Sequence, residues 1–141
     1  MKILSLSQTY LDQCRAALDE EQSVSLRESN NWAHVDRVKV HSDWNSLYRE
    51  LAEWIERAEP AGELLQALVD RHFELACRFY VPSKEAYIGM ALFYTENAAM
   101  NDFHNSFHPR LVEVLGDAMC GYAHAKLAAA NDCQPRPVSA F

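Results

Sequence analysis

Apolar residues recur along this chain at steps of three and four, the period of one helix face, and prolines and small polar residues cut that pattern into segments. The clearest run lies between residues 61 and 94. Leu64, Leu65, Leu68, His72, Leu75 and Phe79 form one continuous stripe there. Pro82 ends the run, because a proline ring clashes with the preceding helical turn and offers no N–H. Ser83 is placed to cap a second helix, its hydroxyl accepting an N–H of the first turn, with Glu85 at the positive end of the helix dipole. Tyr87, Met90, Ala91 and Tyr94 share one face of that helix. Two amphipathic helices therefore meet at a Tyr80-Val81-Pro82 corner.

Flanking segments continue the pattern. Residues 7–20 place Tyr10, Leu11, Cys14, Ala17 and Leu18 on one face of a short helix. Residues 21–41 lose the period and read as a long polar loop, a length that is uncommon in compact domains and often functional or mobile. Ser42-Asp43 begins a strong helix with Trp44, Leu47, Tyr48, Leu51, Trp54 and Ile55 on its apolar side, closed by Pro60. Its two tryptophans, nearly three turns apart, read first as core packing, with the alternative that one of them walls a ligand cleft. Asn97 caps a short helix carrying Met100, Phe103 and Phe107, and His108-Pro109 opens a last helix with Leu111, Val112, Leu115, Met119 and Tyr122 inside. The division expected is an N-terminal helix and mobile loop over 1–41, a helical domain over 42–130, and a flexible tail over 131–141. About six helices of mixed length suit an all-α fold with oblique crossings better than a straight four-helix bundle.

Composition sharpens this picture. Only four glycines and five prolines leave too few turn signals for an all-β fold. A net charge of −7 argues against a nucleic-acid surface, which needs clustered Lys and Arg. No apolar run is long enough to span a membrane, and the N-terminal one is too short for a signal peptide. Cys14, Cys77, Cys120 and Cys133 form no CxxC pairs and read as reduced thiols, which places the protein in the cytoplasm.

No GxSxG, HExxH, P-loop or GxGxxG motif is present, so neither an enzyme nor a bound cofactor is expected. His104 and His108 stand four apart but straddle the Pro109 corner, which favours a solvated pair over a metal site. His72, inside an apolar stripe, has three readings: a hydrogen-bonded core residue, a ligand contact at a cleft edge, or an axial haem ligand in a globin-like protein. Phe79, Tyr80, Tyr87, Tyr94 and Phe103 crowd the C-terminal half together with methionines such as Met90. Such residues offer flat apolar area with polar tips and adapt to irregular shapes, as a large, partly polar ligand would require. A groove that accepts a partner helix is a further alternative.

The order of residues adds to this reading. Asp70-Arg71-His72, Arg78-Phe79-Tyr80, Ser83, Glu85, Tyr87, Phe93-Tyr94, Pro109, Leu111 and Tyr122-Ala123 follow one another in a way that resembles the TipAS antibiotic-recognition domain. The resemblance covers roughly residues 42–125. It implies a globin-like α fold without haem, whose cleft traps thiopeptides or other large hydrophobic antibiotics, and an N-terminal part that is mobile until ligand closes it. Three features depart from the family pattern. No MerR-type DNA-binding segment appears, so direct promoter binding is not expected. Val81-Pro82-Ser83 and Gly89 occupy the region where thiopeptide-responsive members carry a capturing cysteine, and Arg110 replaces the glycine that usually follows the late proline. The resemblance thus implies non-covalent binding of a bulky aromatic or peptide-like molecule by Trp54, Phe79, Tyr80, Tyr87, Met90, Tyr94 and Phe103, with His72 as polar anchor. Sequestration would act alone, whereas sensing would need a regulatory protein or a second copy of the chain as partner.

Overall fold

The computed structural model describes residues 2–57 and 62–129. Among these, a short 3₁₀ turn at Ile3–Ser5 precedes six α-helices, and no strand is present. They are α1 (Gln8–Glu28), α2 (Arg37–Glu56), α3 (Gly62–Ala76), α4 (Lys84–Glu96), α5 (Ala98–Asn105) and α6 (Leu111–Lys126). The architecture is an all-α bundle. Pro60 and the expected tail over 131–141 lie outside the described residues.

Local chemistry sets several of the helix boundaries. Ser83 caps α4, its hydroxyl accepting the Ala86 N–H at 3.2 Å. Asn97 caps α5 through a 3.0 Å bond from the Met100 N–H. Pro109 stands before α6 rather than in its first turn, and Asn105 Oδ1 accepts the Val112 N–H at 3.0 Å in place of a residue from the immediate N-terminus. The expected loop over 21–41 is replaced by helix at both ends, which leaves only residues 29–36 between α1 and α2. Residues 21–28 lack an apolar period because they extend α1 beyond its last buried side chain, Leu18. Asp36, not Ser42, caps α2 by accepting the Lys39 N–H at 3.0 Å, so the helix starts on an exposed polar turn.

Helix α4 is the centre of the bundle and packs chiefly against α1 and α6. Ala86, Tyr87, Ile88, Gly89, Ala91 and Leu92 are buried on it, so it is apolar almost all round, as a central helix must be. Its crossing with α1 depends on Gly89, where an added Cβ would lie 2.3 Å from the Cys14 carbonyl oxygen. Polar ties hold the same contact. Tyr10 donates to Glu85 Oε2 at 2.7 Å, while Glu21 accepts both the Ser83 N–H and its hydroxyl.

Candidate functional site

A cavity of about 380 Å³ opens among α1, α2, α4, α5 and the segments that follow α1 and α3. Small-molecule sites commonly enclose roughly 300–1,000 Å³, with mainly apolar walls and a few polar groups. Helix α2 supplies His41, Trp44, Asn45 and Tyr48 at steps of three and four, because one face of a helix presents such residues together. Phe79 and Tyr80 enter after α3, Met90, Phe93 and Tyr94 come from α4, and Met100, Phe103 and His104 come from α5. Leu18 and Gln22 of α1 complete the wall with Trp32.

The aromatic wall is layered. Phe79 stacks on Trp44 with ring centres 5.6 Å apart and planes 15° apart, and Trp32 meets the same ring edge-on at 4.9 Å. Trp32 takes this position through an unusual backbone. Asn30, Asn31 and Trp32 all have left-handed φ, at 53°, 59° and 61°. For a non-glycine residue that conformation costs roughly 1–2 kcal/mol. Hydrogen bonds hold it: the Trp32 N–H donates to Ser29 Oγ at 2.9 Å, Trp32 Nε1–H to Ser25 Oγ at 2.8 Å, and Arg37 to the Asn31 carbonyl at 2.7 Å.

Beneath the cavity lies a polar floor sealed from solvent. His72 is wholly buried, with Nδ1 2.8 Å from the Tyr87 hydroxyl and Nε2 3.2 Å from the Tyr94 hydroxyl. In a neutral ring one nitrogen donates and the other accepts, so the two phenols play opposite parts. His104 is also buried, and its ring lies on that of Tyr94 with centres 4.1 Å apart. His104 Nδ1 faces the Met100 carbonyl at 2.7 Å and must donate to it, so Nε2 accepts from the Tyr48 hydroxyl at 2.9 Å. Burial pushes the His72 pKa down to about 3, helped by the neighbouring His104, and burial lowers that of His104 as well. The phenols of Tyr48 and Tyr87 are driven well above the ordinary range by burial and by neighbouring tyrosines. The floor is therefore neutral at ordinary pH.

These positions sort the sequence-predicted residues. Phe79, Tyr80, Met90, Tyr94 and Phe103 line the cavity. His72 and Tyr87 do not, and reach it only through Tyr94 and the floor. Trp54 packs against the core away from the cavity, and Trp44 takes the place at the wall. Ten residues of helix fall about 80° short of three turns and advance about 15 Å, which separates the two indoles. The further lining residues Trp32, Asn45 and His41 stand in or beside the stretch that carries no period, so only their aromatic and polar types hint at them. His104 is not half of a solvated pair: it is 1% exposed, while His108 bonds Glu56 at 3.0 Å. Among the described residues no group of three or more His, Cys, Asp or Glu could hold a metal ion. Both nitrogens of His72 are already engaged, so axial haem ligation would require breaking the floor.

The described cysteines are absent from the cavity lining. Cys14 and Cys120 are buried and Cys77 is partly buried, and none of the three lines the cavity. Burial raises all three thiols, Cys14 to about 12 and Cys77 to about 11, which suppresses the nucleophilic thiolate. No helix among the described residues is long and apolar enough to cross a membrane.

Comparison with known proteins agrees with this architecture. Residues 7–122 match the family model of the TipAS antibiotic-recognition domain, so the match takes in α1 as well as the stretch from 42 onward. No curated protein and no solved structure matches the chain. With a match over most of its length and an all-helical bundle, the chain belongs to the TipAS antibiotic-recognition domain family.

Proposed function

We propose that this protein binds, without a covalent bond, a large and mainly apolar aromatic or peptide-like small molecule such as an antibiotic. The observation that carries this reading is the cavity of about 380 Å³ walled by Trp32, Trp44, Phe79, Met90, Tyr94 and Phe103. Flat rings around a neutral floor favour a ligand that trades water for aromatic contact, with Gln22, Asn45 and His41 left to orient it. Family membership supports small-molecule recognition. That Cys14, Cys77 and Cys120 do not line the cavity, and that burial raises their thiols, supports non-covalent capture. Binding would lower the free concentration of the ligand, and no chemical step is required of the protein.

Tryptophan fluorescence tests this directly. Titration with thiopeptides, albicidin-like compounds and other hydrophobic antibiotics is expected to give saturable quenching with one class. Trp44→Phe should remove much of that signal and Trp54→Phe should leave it, because only Trp44 of the two lines the cavity. Flat titrations throughout would overturn the reading, and equal loss in both variants would move the site.

A further inference from the structure

The cavity wall is almost entirely apolar, but the surface beside it is not. His41 and Asn45 belong both to the cavity and to a second, shallow groove that is otherwise lined by Arg37, Val38, Ser42 and Arg49. Arg37, His41, Asn45 and Arg49 follow at steps of four, so they form one row along α2. No carboxylate lines this groove. Three other cations on and around α2 carry ion pairs. Lys39 and Arg78 are both paired with Asp43, and Arg71 with Glu50. Arg49 has no ion pair among the described residues, and Arg37 donates to the Asn31 carbonyl alone. Asp36 caps α2 beside Arg37, and Glu53 stands one turn beyond Arg49 without an ion pair to it among the described residues; in a chain of net charge −7, Glu20, Glu21 and Glu28 line a separate groove between α1 and the Tyr80–Ser83 segment.

We infer that the ligand is an aromatic acid, whose flat apolar body enters the cavity while an anionic group remains in the adjoining groove against Arg37 and Arg49. Guanidinium groups suit a carboxylate or sulfonate because their planar fork presents paired donors, and Asn45 at the junction can bond the linking atoms. Without such a group, two unneutralised arginines beside an apolar mouth would gain nothing from a ligand. This inference rests on the binding role proposed above for the cavity.

Two dyes with one aromatic body separate the questions: 1-anilinonaphthalene-8-sulfonate, which is anionic, and N-phenyl-1-naphthylamine, which lacks the sulfonate. Both are expected to bind saturably, the anionic dye more tightly. Arg49→Gln, at a residue that does not line the cavity, should weaken the anionic dye by roughly three- to fivefold, as an exposed ion pair does. The neutral dye should be unaffected, and Arg49→Lys should retain most of the affinity for the anionic one. Added salt should weaken only the sulfonate, because screening acts on exposed charge. Arg49 is exposed, so both variants are expected to fold. Equal affinities for the two dyes, or no selective loss in Arg49→Gln, would overturn the inference and leave the cavity reading intact. Failure of both dyes to bind would overturn both.

Discussion

The floor and the wall of the cavity are both built largely from aromatic rings and behave oppositely. In the floor, His72, Tyr87, Tyr94, His104 and Tyr48 are buried and bonded to one another. In the wall, Trp44 Nε1 and the Tyr80 hydroxyl are buried with no hydrogen-bond partner, Phe93 and Phe103 are 43% and 46% exposed, and Trp32 sits in a left-handed backbone. An unmet buried polar atom costs roughly 1–3 kcal/mol, whereas a satisfied network specifies one packing. The floor thus holds the fold, and the wall retains unused interaction capacity. His72, the histidine of the apolar stripe, is buried beneath the cavity and does not line it.

The sharpest way to break this contrast is His72→Ala, which removes ring volume and leaves two buried phenols without their partner. It should destabilise the protein by about 3–5 kcal/mol in urea unfolding. A loss below about 1 kcal/mol, the level of surface substitutions, would mean the floor does not hold the fold.

Proton linkage is the next test. The folded-state pKa of His72 is about 3 against an ordinary 6.5, so between these values the unfolded chain binds a proton that the folded chain refuses. Stability should therefore be full above about pH 6.5 and fall as pH drops, with a slope of up to about 1.4 kcal/mol per unit from this group. His104, also lowered, acts in the same direction. His72→Gln keeps a donor and an acceptor but cannot titrate, and it should flatten the slope. An unchanged slope would assign the acid sensitivity to other groups.

The smallest effect is the most discriminating. Tyr94, like Tyr48 and His104, belongs to the floor and also lines the cavity, and its hydroxyl meets His72. Tyr94→Phe keeps the ring on His104 and removes one buried hydrogen bond, so it should cost about 1 kcal/mol of stability. Ligand affinity should stay within about twofold of the parent, since the ring face is preserved. A tenfold loss of affinity, about 1.4 kcal/mol, with stability intact would make the hydroxyl a ligand contact.

Legibility in the sequence follows the same division. The stripe of α3, the Ser83 and Asn97 caps, and the aromatic supply of α4 and α5 are local patterns, and five of the eight residues expected to bind ligand line the cavity. The second half of α1 was hidden because its work is polar: Glu21 reaches across to bond Ser83. The start of α2 was hidden because Val40 is the only buried residue among Arg37–Ser42.

What the sequence by itself determined is the helical class, the main apolar faces and the supply of aromatic side chains, because periodicity, capping and residue type act within a few residues of chain. Only the tertiary structure decided which face of each aromatic meets open space. It set His72 between Tyr87 and Tyr94, chose Trp44 over Trp54, and brought Trp32 onto Phe79 from a distant turn. Those outcomes depend on how helices separated along the chain cross, and close packing at Gly89 and beneath Tyr94 fixes that crossing through contacts that no local pattern contains.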